Sequence, residues 1–228
     1  MANTVSPAKK FTIRGRLSYP QWTHAQAVEA NAKFSNYKKA DPAEIAPEMN
    51  VLIEHDELER FKAHLRDVFI PYAQQQEKLG GKDALSAKAV KQILAKLDED
   101  DFEGVPHLPI KVVGEKVKKT APEAEASVKV VGNKGKDWIR KVAVFDEEYL
   151  AVPGSQPKFP AIVDEGDTTL EIYPGAFVAI TLNLWAYSSS SAVYGVSAGG
   201  NTVVMLSDTL TESFMGGSVG VDEDDIFA

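Results

Sequence analysis

Trp185 and Tyr187 are the residues whose type and spacing point most directly to a binding chemistry. They end the segment Ala176–Tyr187, in which every second residue is apolar. Alternate side chains of a strand point to opposite faces, so the pattern predicts both rings on the polar face. An exposed aromatic ring can stack on an unpaired base of any identity. The alternative is that a helical segment covers the rings and makes them part of the core.

Positive side chains recur near aromatic residues in other parts of the chain. Binding along a phosphate backbone needs cations, and base stacking needs rings at nucleotide spacing, so the combination favours a nucleic-acid surface. A run of charges by itself is more often a solvated face. The predicted phosphate contacts are Arg14, Arg16, Lys38, Lys134, Lys136 and Arg140. The aromatic residues assigned to the same surface are Tyr19, Trp22, Tyr37, Trp138, Phe159, Trp185 and Tyr187.

Residue patterns typical of catalysis are missing from the sequence. The four histidines are scattered, and His55 and His64 are too far apart for a metal pair one helical turn apart. No HExxH, Gly-x-Ser-x-Gly or P-loop pattern occurs, and Asp98–Asp101 lacks the ligand spacing and glycine of a calcium loop. The sequence contains no cysteine, which excludes thiolate catalysis, cysteine-bound zinc and iron–sulfur clusters. We therefore predict a protein that is not an enzyme and uses no metal or cofactor.

The C-terminal segment combines a run of carboxylates with an apolar tip, after a glycine-rich spacer at residues 216–220. Like charges repel and glycines lose much entropy on folding, so residues 216–228 are predicted to be a disordered, flexible tail. The carboxylates can mimic a polyphosphate and compete for a basic groove, while the tip can dock on a partner protein. The residues assigned to this role are Asp222, Glu223, Asp224, Asp225, Ile226 and Phe227. The alternative is that the tail only keeps the protein soluble.

The net charge of −8 is unevenly distributed along the chain. Residues 1–53 carry +3 and residues 105–142 carry +5, whereas residues 143–221 carry −8 and the four carboxylates of the tail add −4. A phosphate responds to charges within a Debye length of about 10 Å, so the local field matters more than the total. A positive groove is therefore compatible with an acidic protein.

The periodicity of apolar residues predicts a β-rich body interrupted by helices. The helices are predicted over Asp56–Lys78, which Pro71 is expected to bend or end, and over Ser86–Leu97, whereas Gln21–Asn31 is predicted to be irregular. Asn133–Lys136 is a strong turn signal and predicts the tip of a basic hairpin. The predicted strands are Lys10–Tyr19, Val51–Ile53, Leu108–Val117, Ser127–Val131, Trp138–Phe145, Ala176–Tyr187 and Thr202–Leu206.

Such a set of strands is most simply closed into a barrel, because closure leaves no exposed edges. The predicted organisation is one domain at residues 1–215, with a helical insertion at about residues 54–104, followed by the tail at residues 216–228. No apolar run is long enough to span a bilayer, and the N-terminus lacks the apolar core of a secretion signal. We expect a cytoplasmic protein with no membrane partner.

The second half of the sequence contains four informative motifs before the acidic tail, namely Phe159–Asp164, Ile172–Val178, Leu184–Tyr187 and Tyr194–Val196. Through these motifs and the tail, and more loosely through Lys33–Lys39 and the helix Asp56–Lys78, the sequence resembles the single-stranded DNA-binding proteins of tailed phages. Two departures occur. Ala198-Gly199-Gly200-Asn201 replaces the usual Gly-Leu-Asn pattern, and the chain ends in Ala228, where tails of this type commonly end in phenylalanine.

The resemblance implies an α+β protein built on an OB-fold, which is a five-stranded Greek-key barrel. It also implies binding of single-stranded DNA without sequence preference during phage DNA replication and recombination, in the cytoplasm of the infected bacterial host. The acidic tail would dock replication proteins such as the polymerase, and the protein could form homo-oligomers or a cooperative array on DNA. The alternatives are a structural virion or tail component whose aromatic residues form an assembly interface, and a strand-annealing recombination protein with the same groove.

Overall fold

The computed structural model describes residues 6–34, 41–142, 172, 174–190 and 193–205. In this part of the chain, eight strands and five α-helices form a strand-rich α+β fold, as the sequence predicts. The strands are β1 (Lys10–Ser18), β2 (Glu48–Ile53), β3 (Ile110–Val112), β4 (Ala126–Val131), β5 (Ile139–Val142), β6 (Phe177–Ser190), β7 (Val193–Gly199) and β8 (Thr202–Met205). The helices are α1 (His24–Phe34), α2 (His55–His64), α3 (Ile70–Leu79), α4 (Ala87–Glu99) and α5 (Glu115–Thr120).

Five of the strands pair into a closed ring. β1 pairs antiparallel with both β2 and β6, β2 pairs with β4, and β6 pairs with β7. The ring closes between β4 and β7, which run parallel and share the single register pair Val131 and Gly199. Where these two strands diverge, the chain before β3 fills the gap, because the backbone N–H of Val196 donates to the His107 carbonyl at 2.9 Å. No strand of the ring is therefore left without a neighbour on either side.

β4 and β5 do not form the hairpin that the sequence predicts. β5 pairs in parallel with β8, and β8 continues the path of β7 along β6. β4 therefore runs parallel to β7, and β5 runs parallel to β8. The loop at residues 132–138 connects β4 to β5, which continues in the same direction. Gly135 has a φ of +65°, so the turn signal is correct, although the strands that flank it do not pair with each other.

β6 has the two-faced character that its alternating sequence predicts. Val178, Ile180, Leu182 and Leu184 have no exposed surface, and they belong to one core with inward residues of β1, β2 and β4. The side chains between them in sequence point out of the ring. β6 therefore forms a rigid wall that is apolar inside and carries the candidate binding residues outside.

The helical insertion between β2 and β3 begins with one long helix. α2 and α3 are joined by a π-helical turn at Leu65–Phe69, so the helix continues past Pro71. A proline has no N–H to donate and clashes with the carbonyl four residues earlier, and the wider turn accommodates it. Phe61 and Phe69 are fully buried in the core that the strands share, so these helices and the strands pack around one hydrophobic core.

α4 is fixed at both of its ends. The Ser86 hydroxyl accepts the Ala89 N–H at 3.2 Å and caps the N-terminus. At the C-terminal end, the buried Lys62 ammonium of α2 donates to Glu59 at 2.7 Å and to Asp100 at 2.6 Å. Burial lowers the pKa of Lys62, but the hydrogen bonds and charges of Asp100 and Glu59 outweigh it and raise that pKa above its usual value.

Two sequence predictions of irregular or extended structure are wrong. His24–Phe34 is the helix α1, and it begins with a capping box in which the Thr23 N–H donates to Gln26 Oε1 at 3.1 Å and the Gln26 N–H donates to Thr23 Oγ1 at 3.2 Å. This Thr-x-x-Gln signal was present in the sequence. The predicted strand Leu108–Val117 is shorter, because pairing ends at Val112 and Glu115–Thr120 is the helix α5.

Candidate nucleic-acid interface

Trp185 and Tyr187 lie on the outer face of β6, as the alternation predicts, and both are half-buried. Their cross-strand partners on β7 are Ser197 and Gly195, which are small. A β-carbon at Gly199 would lie only 2.6 Å from Cζ3 of Trp185, so the indole ring rests directly on the β7 backbone. Burial raises the pKa of Tyr187 above its usual value.

The Trp185 cleft lies where β4 and β7 meet. One wall is the Trp185 ring on β6, and the floor is the strand junction, where the Gly200 N–H donates to the Val131 carbonyl at 3.0 Å. The side chains that line it are uncharged, and three of them are amides. The lining residues are Val131, Gly132, Asn133, Asn183, Trp185, Gly199, Gly200 and Asn201.

Trp138 is placed differently from the sequence prediction, which assigned it to base stacking. Its ring is 6% exposed and belongs to the core. A β-carbon at Gly132 or at Gly200 would lie 3.2 Å from atoms of this ring, so Trp138 packs under the glycines of the Trp185 cleft. Trp138 therefore supports the floor of the cleft and presents no ring face to a ligand.

The basic residues after Asn133 extend from the Trp185 cleft toward α1. Lys134, Lys136 and Arg140 are exposed, and the Arg140 guanidinium lies 5.6 Å from the centre of the Trp22 ring. Lys134 forms an ion pair with Glu44. We refer to Trp22, Lys134, Lys136 and Arg140 together as the loop cluster.

Two hydrogen bonds from backbone N–H groups hold the loop cluster against the chain that leads into α1. The Trp138 N–H donates to the Trp22 carbonyl at 3.0 Å, and the His24 N–H donates to Asp137 Oδ1 at 2.8 Å. The loop at residues 132–138 and the start of α1 are therefore positioned together. Trp22 is half-buried against the core, so the cluster has a fixed base and exposed cations.

Arg14 and Arg16 lie on the outer face of β1, as predicted, but in a cleft rich in carboxylates. The Arg16 guanidinium donates to Glu123 Oε1 at 2.6 Å, and Glu57 Oε1 accepts the backbone N–H of Arg14 at 2.7 Å. We call this site the Arg14 cleft. Its lining residues are Arg14, Gly15, Arg16, Leu52, Ile53, Glu54, Asp56, Glu57, Glu123, Ala124 and Phe177.

The remaining predicted residues are only partly described. Tyr19 is 43% exposed and follows β1 with a φ of +41°. Tyr37, Lys38, Phe159 and the whole acidic tail lie outside the described residues.

Sequence reasoning missed the amides of the Trp185 cleft. Asn183 was identifiable, because it lies two residues before Trp185 on the same face of β6. Asn133 and Asn201 could not be placed beside it, because only the closure of the ring brings the two loops to β6.

The described residues contain no group of three or more histidine, aspartate or glutamate side chains that could hold a metal ion. None of their helices combines the length and the apolar character that crossing a bilayer requires.

No protein-family model and no curated protein matches the chain. Among solved structures, the single-stranded DNA-binding protein from bacteriophage Enc34 is similar at 13% identity, with a TM-score of 0.47 over 97% of this chain and 92% of that chain. The same protein in complex with ssDNA matches at 11% identity and a TM-score of 0.48, over 89% of this chain and 88% of that chain.

A third similar structure is gp2.5, a single-stranded DNA-binding protein encoded by bacteriophage T7. It matches at 12% identity and a TM-score of 0.43, over 90% of this chain and 96% of that chain. These three solved structures, to which the chain is similar in fold, are all of single-stranded DNA-binding proteins of bacteriophages.

Proposed function

We propose that the protein binds single-stranded DNA, tolerates many sequences and carries out no catalysis. The proposal rests on one observation, which is that the Trp185 cleft adjoins the loop cluster. Asn133 lines the cleft beside Trp185, and the exposed cations Lys134 and Lys136 follow it directly. A ring for stacking beside cations for phosphates is the arrangement that single-strand binding requires.

The ring of strands supports an OB-type barrel as the scaffold of this site. Its pairing order is β1, β2, β4, β7 and β6, returning to β1. We infer that these five strands correspond to the five strands of an OB-fold. Such barrels bind oligonucleotides on the face of their second and third strands and through the loop between the first and second strands. In this protein that loop carries Trp22, which belongs to the loop cluster.

The second part of the proposal concerns the role of the protein in the infected cell and the role of the acidic tail. We propose that the protein coats single strands during phage DNA replication and recombination, in the cytoplasm of the infected bacterium. The acidic tail, including Asp222–Asp225, would occupy the basic surface until DNA displaces it, and Ile226 and Phe227 would then dock replication proteins such as the polymerase. A homo-oligomer or a cooperative array on DNA is part of the same proposal.

Titration with a fluorescent oligothymidine at two salt concentrations tests the proposal. We expect binding that weakens steeply as salt increases, because each cation that contacts a phosphate releases counterions from the strand. A structural phage component that uses its aromatic residues for assembly has no reason to show this dependence. Absence of oligothymidine binding at about 50 mM salt, with the protein folded, would reject the proposed function.

The tail is tested separately with a chain that lacks residues 222–228. We expect this truncation to tighten DNA binding, most at low salt, because the competing carboxylates are then least screened. The same truncation is expected to abolish capture of a replication partner. Unchanged DNA affinity together with unchanged capture would leave the tail only a solubility role.

A further inference from the structure

The Trp185 cleft differs chemically from the cationic part of the interface. None of the described residues that line it carries a charge, so it offers no cation to pair with a phosphate. It offers a ring and three amides, and each amide has both hydrogen-bond donors and an acceptor. These groups complement a nucleobase, which has a flat face for stacking and an edge of donors and acceptors.

Two of the amides are free to bond a ligand. Asn133 and Asn183 are exposed, and neither side chain hydrogen-bonds to another described residue. Asn201 Oδ1 accepts from the Thr202 hydroxyl at 3.1 Å, which leaves the Asn201 amide nitrogen as a donor. The cleft therefore contains donors and acceptors that form no hydrogen bond within the described part of the chain.

The backbone fixes the ring against which a base would stack. Trp185 rests on Gly199, and any side chain at that position would displace the indole. The strand junction that forms the floor is held by the Gly200–Val131 hydrogen bond and supported by the buried Trp138. The ring and the backbone beneath it are thus arranged before a ligand arrives, which lowers the entropy that binding must overcome.

We propose that the Trp185 cleft is a base-reading subsite that seats one nucleobase of the bound strand. The base stacks on Trp185, and its edge hydrogen-bonds to Asn133 and Asn183. This inference rests on the proposed function and deepens it. The protein binds many sequences through phosphates and stacking, but it distinguishes bases at one position of its footprint.

Oligothymidine and oligocytidine of equal length test this subsite, because both bases are pyrimidines but cytosine N4 donates a hydrogen bond where thymine O4 accepts one. We expect the full-length protein to bind the two strands with affinities that differ roughly 5-fold or more, since a well-paired edge discriminates at about that level. In the double variant N133A/N183A, we expect the ratio of the two affinities to approach one. The exposed Gln74 and Gln75 of α3 supply the control, because Q74A/Q75A also removes two side-chain amides but outside the cleft.

The outcomes separate the two proposals. If neither strand binds in a salt-dependent manner, the proposed function itself fails. If both strands bind but the parent shows no preference, or the preference is the same in N133A/N183A, the base-reading subsite is rejected. Circular dichroism and thermal melting of each variant check the fold, which we expect to persist because the two side chains have no hydrogen bonds to lose in the described part of the chain.

Discussion

The loop cluster and the Arg14 cleft both present cations on the outside of the same ring of strands, but their surroundings differ. In the loop cluster, Lys136 and Arg140 are exposed, and neither forms an ion pair with a described residue. The Arg14 cleft holds two arginines among four carboxylates, and Arg16 is already bonded to one of them. A phosphate approaching the Arg14 cleft meets negative charge and must compete for Arg16.

The difference arises from which segments the fold places next to each other. Arg14 and Arg16 lie in the basic N-terminal segment, but Glu57 comes from the start of α2 and Glu123 from the chain after α5. Arg140 instead lies 5.6 Å from the centre of the Trp22 ring, and Lys136 is three residues after Asn133, which lines the uncharged Trp185 cleft. Because charges interact over about 10 Å in space, the sum along a segment does not give the field at its surface.

Removing the stacking ring is expected to have the largest effect on DNA binding. Replacing Trp185 with alanine should weaken oligothymidine binding by about 1–3 kcal/mol and change the salt dependence little, because stacking is not electrostatic. Fluorescence titration at several salt concentrations measures both quantities. The conservative variant W185F keeps a ring and is expected to retain most of the affinity. If W185A binds normally but melts at a much lower temperature, the ring is a core residue and not a stacking surface.

Neutralising one pair of cations in each region tests whether the loop cluster contacts more phosphates than the Arg14 cleft does. We expect K136Q/R140Q to reduce the slope of log K against log salt by roughly 1.4, since each phosphate contact to a single strand contributes about 0.7. The pair R14Q/R16Q removes the same charge, and we expect a smaller reduction because carboxylates surround these arginines. Titrations at four or more salt concentrations give the slopes. Equal reductions in the two variants would place both regions in the groove.

Releasing a cation from its carboxylate partner is expected to strengthen binding modestly. Glu44 pairs with Lys134, so E44Q leaves that lysine free for a phosphate. Exposed ion pairs are worth up to about 1 kcal/mol, which limits the expected gain to roughly 2- to 5-fold at low salt. D98N is the matched control, because it frees Arg66 in the helical insertion, where the pair spans 2.6 Å. A similar gain in both variants would indicate only a change in total charge.

A change of pH is expected to act on the helical insertion and only weakly on the binding surface. Burial lowers the pKa of His64, whose ring centre lies 5.0 Å from that of Phe11. The unfolded chain, with a histidine pKa of about 6.5, then binds a proton more readily than the folded protein does. This contribution to stability is present above about pH 6.5 and is lost as the pH falls below that value.

Urea unfolding at pH 7.5 and pH 5.5 measures this effect. We expect the parent to lose more stability between the two pH values than H64Q, which cannot titrate at that position. Oligothymidine affinity compared at the same two pH values should differ little between parent and variant. An equal loss of stability in parent and variant would show that His64 does not contribute.

The sequence by itself determined the local features of this protein. Alternation fixed the two faces of β6 and β1, and helical periodicity located α2, α3 and α4, because these patterns reflect contacts between near neighbours. It also identified Trp185 and the cations of the loop cluster as candidate ligand contacts. The helix α1 was missed although its capping box was readable, because its buried face is small and weakly periodic.

The tertiary structure alone decided which of these features meet. Closure of the ring through the pairing of Val131 with Gly199 brings Asn133, Asn183 and Asn201 around Trp185 and buries Trp138 beneath them. It also places carboxylates from two distant segments beside Arg14 and Arg16. A sequence pattern has no information on such pairings, because they depend on strand register and on loop paths between segments far apart in the chain. The types of the candidate residues were therefore readable in the sequence, whereas the shape and local field of the candidate site came from the fold.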